Sequence, residues 1–288
     1  MPLVNLTAVL PNAQRFGYAV PSFNVCTLEM IAGVLQAAEM VRSPVIIALA
    51  ERHFRQINPW HISAAIREGA HRAKIPVVLH LDHAASLEGV KLGIELGCTS
   101  VMIDGSRLPF GENVAVTRKA VEIARAHEVS VEGELGSIGG SEGEVQGGKE
   151  PKLYTNPDEA AQFALETGVD ALAVAIGTVH GLYRTAPQLQ FELLEQIRRS
   201  TEAFLVLHGG TSLPDSDFAR LIERGITKIN IFTELSLRSA ERIRKNLERS
   251  EGAIGITESL EGVTMEIAEA ARRFFQVFRG VGRSESLL

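Results

Sequence analysis

A chain of 288 residues with 45% apolar and 22% charged side chains has ordinary globular composition and enough apolar material for a large core. Its formal net charge of −6 argues against nucleic acid or an anionic membrane as the main partner, but a small phosphorylated ligand stays open because local dipoles hold such a group. No apolar run reaches membrane-spanning length, the opening MPLVNLTAVLPNAQRFG lacks a leader pattern, and Cys26 and Cys98 form no CxxC pair, so a cytoplasmic protein with reduced thiols is expected.

Short β-rich runs alternate with helical patterns along the chain. YAVPSFNV (18–25) reads as the first strand. It leads into LEMIAGVLQAAEMV (28–41), where Leu28, Ile31, Leu35, Ala38 and Val41 recur on one helical face. VIIALA (45–50), PVVLHLD (76–82), SVMIDGS (100–106) and SVEGELG (130–136) read as the next four strands, separated by NPWHISAAIREGAHRA, SLEGVKLGIELG and NVAVTRKAVEIARAH. ALAVAIG (171–177), FLVLHGG (204–210) and ITKINIF (226–232) complete the set, with PDEAAQFALETG, FELLEQIRRS and DSDFARLIERG as the helices between. Eight strands with intervening helices, and a helix after the eighth, predict an α/β fold: a single (β/α)8 TIM barrel over 1–288. An open doubly wound sheet would carry fewer strands and a Gly-rich dinucleotide loop after the first, and FNVCTLEM is not one.

Two stretches depart from this rhythm. GSIGGSEGEVQGGKEPKLYTNP is far longer than a typical βα loop, and it predicts a mobile active-site loop over 137–156. Residues 250–288 read as a C-terminal helical extension. There Ile267, Ala271, Phe274 and Phe278 share one face, and Phe275 and Val277 broaden it, which predicts contact with a second surface such as another subunit.

Three histidines fall at or just past strand C-termini: His83, His180 and His208. Neutral imidazoles from three strands of one barrel can meet at a metal ion and leave a coordination position for substrate. Asp82, Asp104, Glu132 and Glu134 lie near the same rim, and buried acids need a metal or a cationic partner. Strand alternation puts His80 and Asp82 on one face, with His80 the deeper and better suited to structural hydrogen bonding. HGGTS (208–212) and NIFTE (230–234) supply turn and helix-start N–H groups after strands seven and eight, where this fold commonly binds phosphate.

The segments PSFNV, LHLDH, SVMIDGS, VEGELGSIGGSE, LYTNP, AVAIGTVHG, LVLHGGTS and KINIFTE, in this order and spacing, resemble the zinc-dependent class II ketose-bisphosphate aldolases over roughly residues 1–245. The similarity is to the branch with tagatose- and fructose-bisphosphate aldolases. It implies a lyase that reversibly splits a ketose bisphosphate into dihydroxyacetone phosphate and an aldehyde, glyceraldehyde 3-phosphate. It also implies one catalytic Zn2+ on His83, His180 and His208, with Asp104 and Glu134 holding an alternate position or supporting the ligands. By the same resemblance Asp82 handles the C4 hydroxyl proton, and Glu142 exchanges the proton on the dihydroxyacetone phosphate carbon. Asn24, Gly181, Gly209, Gly210, Thr211, Asn230, Phe232 and Thr233 match positions facing the substrate and its phosphate. A monovalent cation (Na+ or K+) near the Gly181 loop and a homodimer or homotetramer are implied in the same way.

Several positions depart from the family pattern. Phe232 stands where a small or acidic residue is usual, Ala50 where a hydroxyl is frequent, Thr211-Ser212 where Ser-Gly is usual, and Gly143 where Asp is common. Arg272 or Arg273 is the candidate for a second phosphate. The reaction type is therefore better specified than the substrate, and a different ketose 1-phosphate stays open. Three other readings remain at this point. A Schiff-base aldolase would have only Lys228 as a strand lysine, a metal-dependent hydrolase would usually carry His-x-His on its first strand, and a non-catalytic subunit could retain the fold.

Overall fold

A parallel strand covered on both faces sends every side chain into a core, and such strands read as nearly unbroken apolar runs. β1 (Val20–Asn24), β2 (Val45–Ala50), β5 (Ser130–Leu135) and β8 (Ile226–Ile231) are buried at every position. In the computed structural model they join β3 (Val77–Ala84), β4 (Ser100–Ile103), β6 (Ala171–Val174) and β7 (Phe204–Leu207) in a closed parallel barrel in sequence order. β1 pairs with β8 to complete the ring, so the predicted TIM barrel is the observed fold. The structure describes residues 3–136, 138, 154–183, 187–249 and 252–284.

The helices after the strands begin where their sequences supply caps. Thr27 caps α2 (Leu28–Val41) and Ser86 caps α4 (Leu87–Glu95) through their side-chain oxygens. Asn58 before Pro59 opens α3 (Pro59–Arg72), and Asn156 before Pro157 opens α6 (Pro157–Thr167). Each pairs a side-chain acceptor with N–H groups that no helical carbonyl can reach. α5 (Phe110–Arg125), α7 (Phe191–Ser200), α8 (Asp215–Glu223) and α9 (Thr233–Arg249) complete the outer ring.

One element was not expected. α1 (Leu6–Phe16) contains Pro11, which removes an interior hydrogen-bond donor and disfavours a helix. Its buried Leu6, Val9, Leu10 and Ala13 pack on Tyr18, Val20, Ile46 and Val78 near the strand starts. That burial, at helical spacing, outweighs the proline and closes the N-terminal mouth of the barrel.

The C-terminal extension contains α10 (Ile256–Ser259) and α11 (Val263–Val277), and α11 packs along α2. A Cβ on Gly33 would lie 2.7 Å from the Thr264 carbonyl and 2.8 Å from Ile267 Cβ, so the glycine lets the two helices touch. The broad apolar face predicted to meet a second surface is consumed inside the chain. Phe275 is fully buried and meets Phe23 edge-on at 5.6 Å, while Phe274 and Phe278 pack on Phe218 at 6.4 and 4.9 Å. The second surface is the barrel's own β1 and α8. Among the described residues no helix is long and apolar enough to cross a membrane.

Phe275→Ala is expected to lower the unfolding free energy by about 3–5 kcal/mol in a urea titration. Its elution volume on size exclusion should stay that of the unmodified chain, because the face it thins is internal.

Candidate active site

Regular alternation would turn Asp82 into the barrel and His83 away from it. Instead the β3–β4 register shifts between Leu81 and Ala84, and His83 takes φ +51°, in the left-handed region that side-chain-bearing residues rarely occupy. The irregularity brings two consecutive residues to one rim. Asp82 is fully buried and accepts hydrogen bonds from Asn24 Nδ2 at 2.8 Å and Asn230 Nδ2 at 3.2 Å. His83 reaches Asp104 and His208, at 2.9 Å each.

The rings of His83, His180 and His208 stand edge to face, with centroids 4.8 to 5.7 Å apart, and one nitrogen of each lies within 4.8 Å of the others. Their hydrogen bonds fix which nitrogens are offered. His83 Nδ1 lies 2.9 Å from Asp104 Oδ2, and His208 Nε2 lies 2.8 Å from Glu132 Oε1. A carboxylate only accepts, so each ring donates on that side and, as a neutral imidazole, carries a lone pair on the other. Those two lone-pair nitrogens, His83 Nε2 and His208 Nδ1, face each other at 2.9 Å. Two nitrogens so placed must share a proton or have a metal ion between or beside them, and His180 supplies a third nitrogen for such an ion. The donor set therefore fits a divalent metal.

The surrounding charges favour positive charge at this point. Burial would lower the affinity of His83 for a proton, but Asp82, Asp104 and Glu134 outweigh it and hold the pKa well above the usual imidazole value. Burial would likewise raise the Asp82 carboxyl, yet the nearby imidazoles of His83 and His208 and the Lys228 ammonium hold it well below the usual range. Asp104 is also held low against its burial, by His83 and by donors from Ser106, whose hydroxyl lies at 2.7 Å. Glu134 behaves oppositely: burial and the Asp104 charge push it well above its usual range. His83, Asp104 and Glu134 form a second group of mutually close ligand atoms, so a cation has two adjoining positions available.

Glu132 and Lys228 are the residues the sequence reading left without a role in the site. Glu132 is fully buried between His208 and Lys228, whose Nζ lies 2.8 Å from its Oε2. Burial raises its pKa, but Lys228 and His208 bring it down to about 2, so it remains a carboxylate. The signal for both was a charged residue at an inward-facing position of a buried strand. His80 hydrogen-bonds to Ser100 at 2.9 Å and is fully buried.

The remaining predicted residues gather at the ends of β1, β6, β7 and β8. Gly181 and Gly209 have φ +82° and +69°, and a Cβ on Gly209 would lie 2.3 Å from the Val179 carbonyl. Tyr183 clamps these loops together: its hydroxyl donates to the Gly209 carbonyl at 2.7 Å and accepts from Val179 N–H at 3.2 Å. Its two partners flank His180 and His208, a link that sequence spacing does not reveal. Thr211 and Thr233 are buried, with Thr233 opening α9. Ser212 has φ +66°, a strained conformation for a residue standing in place of the usual glycine. Phe232 lies 4.8 Å from the His53 ring and belongs to the outer apolar layer. Arg272 pairs with Glu269, and Arg273 with Asp215 and Glu234. Glu142 and almost all of the predicted loop over 137–156 lie outside the described residues.

Tyr183→Phe keeps the ring and removes the clamp. Divalent-metal affinity, read by chelator competition, should fall roughly tenfold or more, while the thermal unfolding midpoint of the metal-free chain moves little.

The comparisons with known proteins agree with this geometry. Residues 4–283 match the profile of fructose-bisphosphate aldolase class-II. The chain is 44% identical over 250 residues to the Bacillus subtilis protein named "Probable fructose-bisphosphate aldolase", covering 86% of this chain and 87% of that one. It is 39% identical over 253 residues to the Klebsiella oxytoca D-tagatose-1,6-bisphosphate aldolase subunit GatY, covering 88% and 89%. Among solved structures, the YdjI aldolase of Escherichia coli superposes with a TM-score of 0.88 at 33% identity, covering 98% and 99%. With its barrel, its three converging imidazoles and a match along nearly its full length, this chain belongs to the class-II fructose-bisphosphate aldolase family and is a carbon–carbon lyase.

Proposed function

We propose that this enzyme uses zinc to cleave fructose or tagatose 1,6-bisphosphate reversibly into dihydroxyacetone phosphate and glyceraldehyde 3-phosphate. The observation that carries the proposal is the placement of a doubly anchored Asp82 beside the facing nitrogens of His83 and His208 at one barrel mouth. His83, His180 and His208 would hold the zinc, with Asp104 and Glu134 supporting a neighbouring position. When bound, zinc supplies a Lewis acid for the ketose carbonyl.

The chain's own groups then account for the proton movements. Asn24 and Asn230 donate to separate oxygens of Asp82 and fix the carboxylate plane. In the cleavage direction Asp82 takes the proton of the C4 hydroxyl, the C4–O bond becomes the aldehyde carbonyl, and the C3–C4 pair stays with the dihydroxyacetone phosphate fragment. Glu142 is the candidate to return a proton to that carbon. Asp82 reverses its role in condensation, giving its proton to the new hydroxyl.

Phosphate recognition is assigned to the loops bearing Gly181, Gly209, Gly210 and Thr211 and to the start of α9 at Thr233, where helix N–H groups point outward. A monovalent cation beside the Gly181 loop would balance the phosphate charge. Phe232 packs on His53 within the outer apolar layer, which favours an ordinary bisphosphate over a substrate matched to a reshaped pocket. Of the two candidate arginines, Arg273 reaches Glu234 beside Thr233 and is the better placed for a second phosphate.

Cleavage coupled to a dehydrogenase assay tests the proposal. Exhaustive chelation should abolish cleavage of both bisphosphates, and added zinc should restore it. Asp82→Asn should lower kcat by about 10²–10⁴ with zinc content unchanged. Arg273→Ala should raise KM for the bisphosphates and leave a ketose 1-phosphate unaffected. A zinc-loaded chain with neither cleavage nor chelator-sensitive proton exchange on dihydroxyacetone phosphate would identify a non-catalytic subunit instead.

A further inference from the structure

Lys228 is a fully buried ammonium in the barrel interior, and none of the steps above uses it. Burying such a charge is costly unless its partners are close and well oriented. Its Nζ has two: Glu132 Oε2 and Asn230 Oδ1, each at 2.8 Å. Both partners continue upward to the rim. Glu132 uses its other oxygen to accept from His208 Nε2 at 2.8 Å, and Asn230 uses its amide nitrogen to donate to Asp82 Oδ1 at 3.2 Å.

These contacts remove two ambiguities that the site could not tolerate. An asparagine amide can present either its oxygen or its NH2 to a neighbour. With Lys228 donating to Oδ1, only the NH2 is left for Asp82. An imidazole likewise has two tautomers, and a carboxylate at Glu132 selects the one with Nε2–H, leaving Nδ1 for the metal. Lys228 also stands as counter-charge between two carboxylates that would otherwise repel, because His80 lies 3.8 Å from Asp82 and 3.9 Å from Glu132 but is held neutral by burial and by Lys228.

We propose that Lys228 is a positioning residue that joins the two halves of the site, orienting the metal ligand His208 through Glu132 and the proton-transfer residue Asp82 through Asn230. The inference rests on the aldolase reading and adds to it a residue that touches neither substrate nor metal. It also assigns a role to the strand lysine that a Schiff-base route would have required.

The test compares Lys228→Met, Glu132→Gln and the double variant, each as the full chain loaded with zinc. Lys228→Met leaves Glu132 as an unpaired buried charge and is liable to fold poorly. The double variant removes both charges together, and its comparison with Glu132→Gln reads the part played by Lys228 if Lys228→Met fails to fold. This double variant is expected to fold, to bind zinc about tenfold or more weakly in chelator competition, and to lose kcat roughly tenfold or more with KM changed about twofold at most. A kcat and zinc affinity within about twofold of the unmodified enzyme would overturn the proposal, because a lysine that only neutralised Glu132 would then suffice. If the unmodified chain shows no chelator-sensitive cleavage, the aldolase reading itself fails. The zinc competition would still read the Lys228–Glu132–His208 link separately from that outcome.

Discussion

The carboxylate of Glu132, held between the His208 ring and the Lys228 ammonium at 2.8 Å on each side, is the interaction on which the site depends. The centre of a barrel excludes water, so every charge placed there must find its complement in other side chains. Glu132 lets a lysine and an imidazole from neighbouring strands coexist, and it fixes the nitrogen that His208 presents at the rim. Removing it would leave a buried ammonium unpaired and a ligand ring free to choose the wrong tautomer.

The polar chain is tolerable because continuous apolar layers enclose it. α1 closes the N-terminal mouth with Leu6, Val9 and Leu10, while the outer layer of strand and helix side chains runs unbroken to Phe274, Phe275 and Phe278. The polar interior therefore meets only the C-terminal mouth, where substrate enters in this fold. The helix that ends the described chain braces β1 through Phe23, and β1 carries Asn24 to Asp82. Packing at the periphery and hydrogen bonding at the site are thus linked by one short strand.

At the rim, irregular backbone places the ligands. The shifted register at His83, the left-handed Gly209 pressed against Val179 and the Tyr183 hydroxyl between two loops each deviate from regular geometry where a functional side chain must be aimed. The loops after β6, β7 and β8 lie at the same rim as Asp82, which Asn24 and Asn230 hold from two sides.

The sequence by itself determined the barrel and singled out the three histidines that converge at its rim. Eight apolar runs alternating with capped helices admit few other folds, and histidines at the ends of three such runs have little structural reason to be there. It also marked Asp82, Asp104 and Glu134 as rim acids and the face of α11 as apolar. Local pattern could not show where that face would pack, because Phe275 finds Phe23 across more than two hundred residues of chain. It gave no sign of α1, whose Pro11 is offset only by burial against the strand starts. Alternation pointed His83 outward, and only the register shift against β4 turned it in. Asn24 and Asn230 read as substrate contacts, and folding also sets both on Asp82, while Lys228 reaches Glu132 only when β5 and β8 face each other across the barrel. Periodicity along a chain fixes which residues are buried, but the partner of a buried charge is a fact of three-dimensional closure.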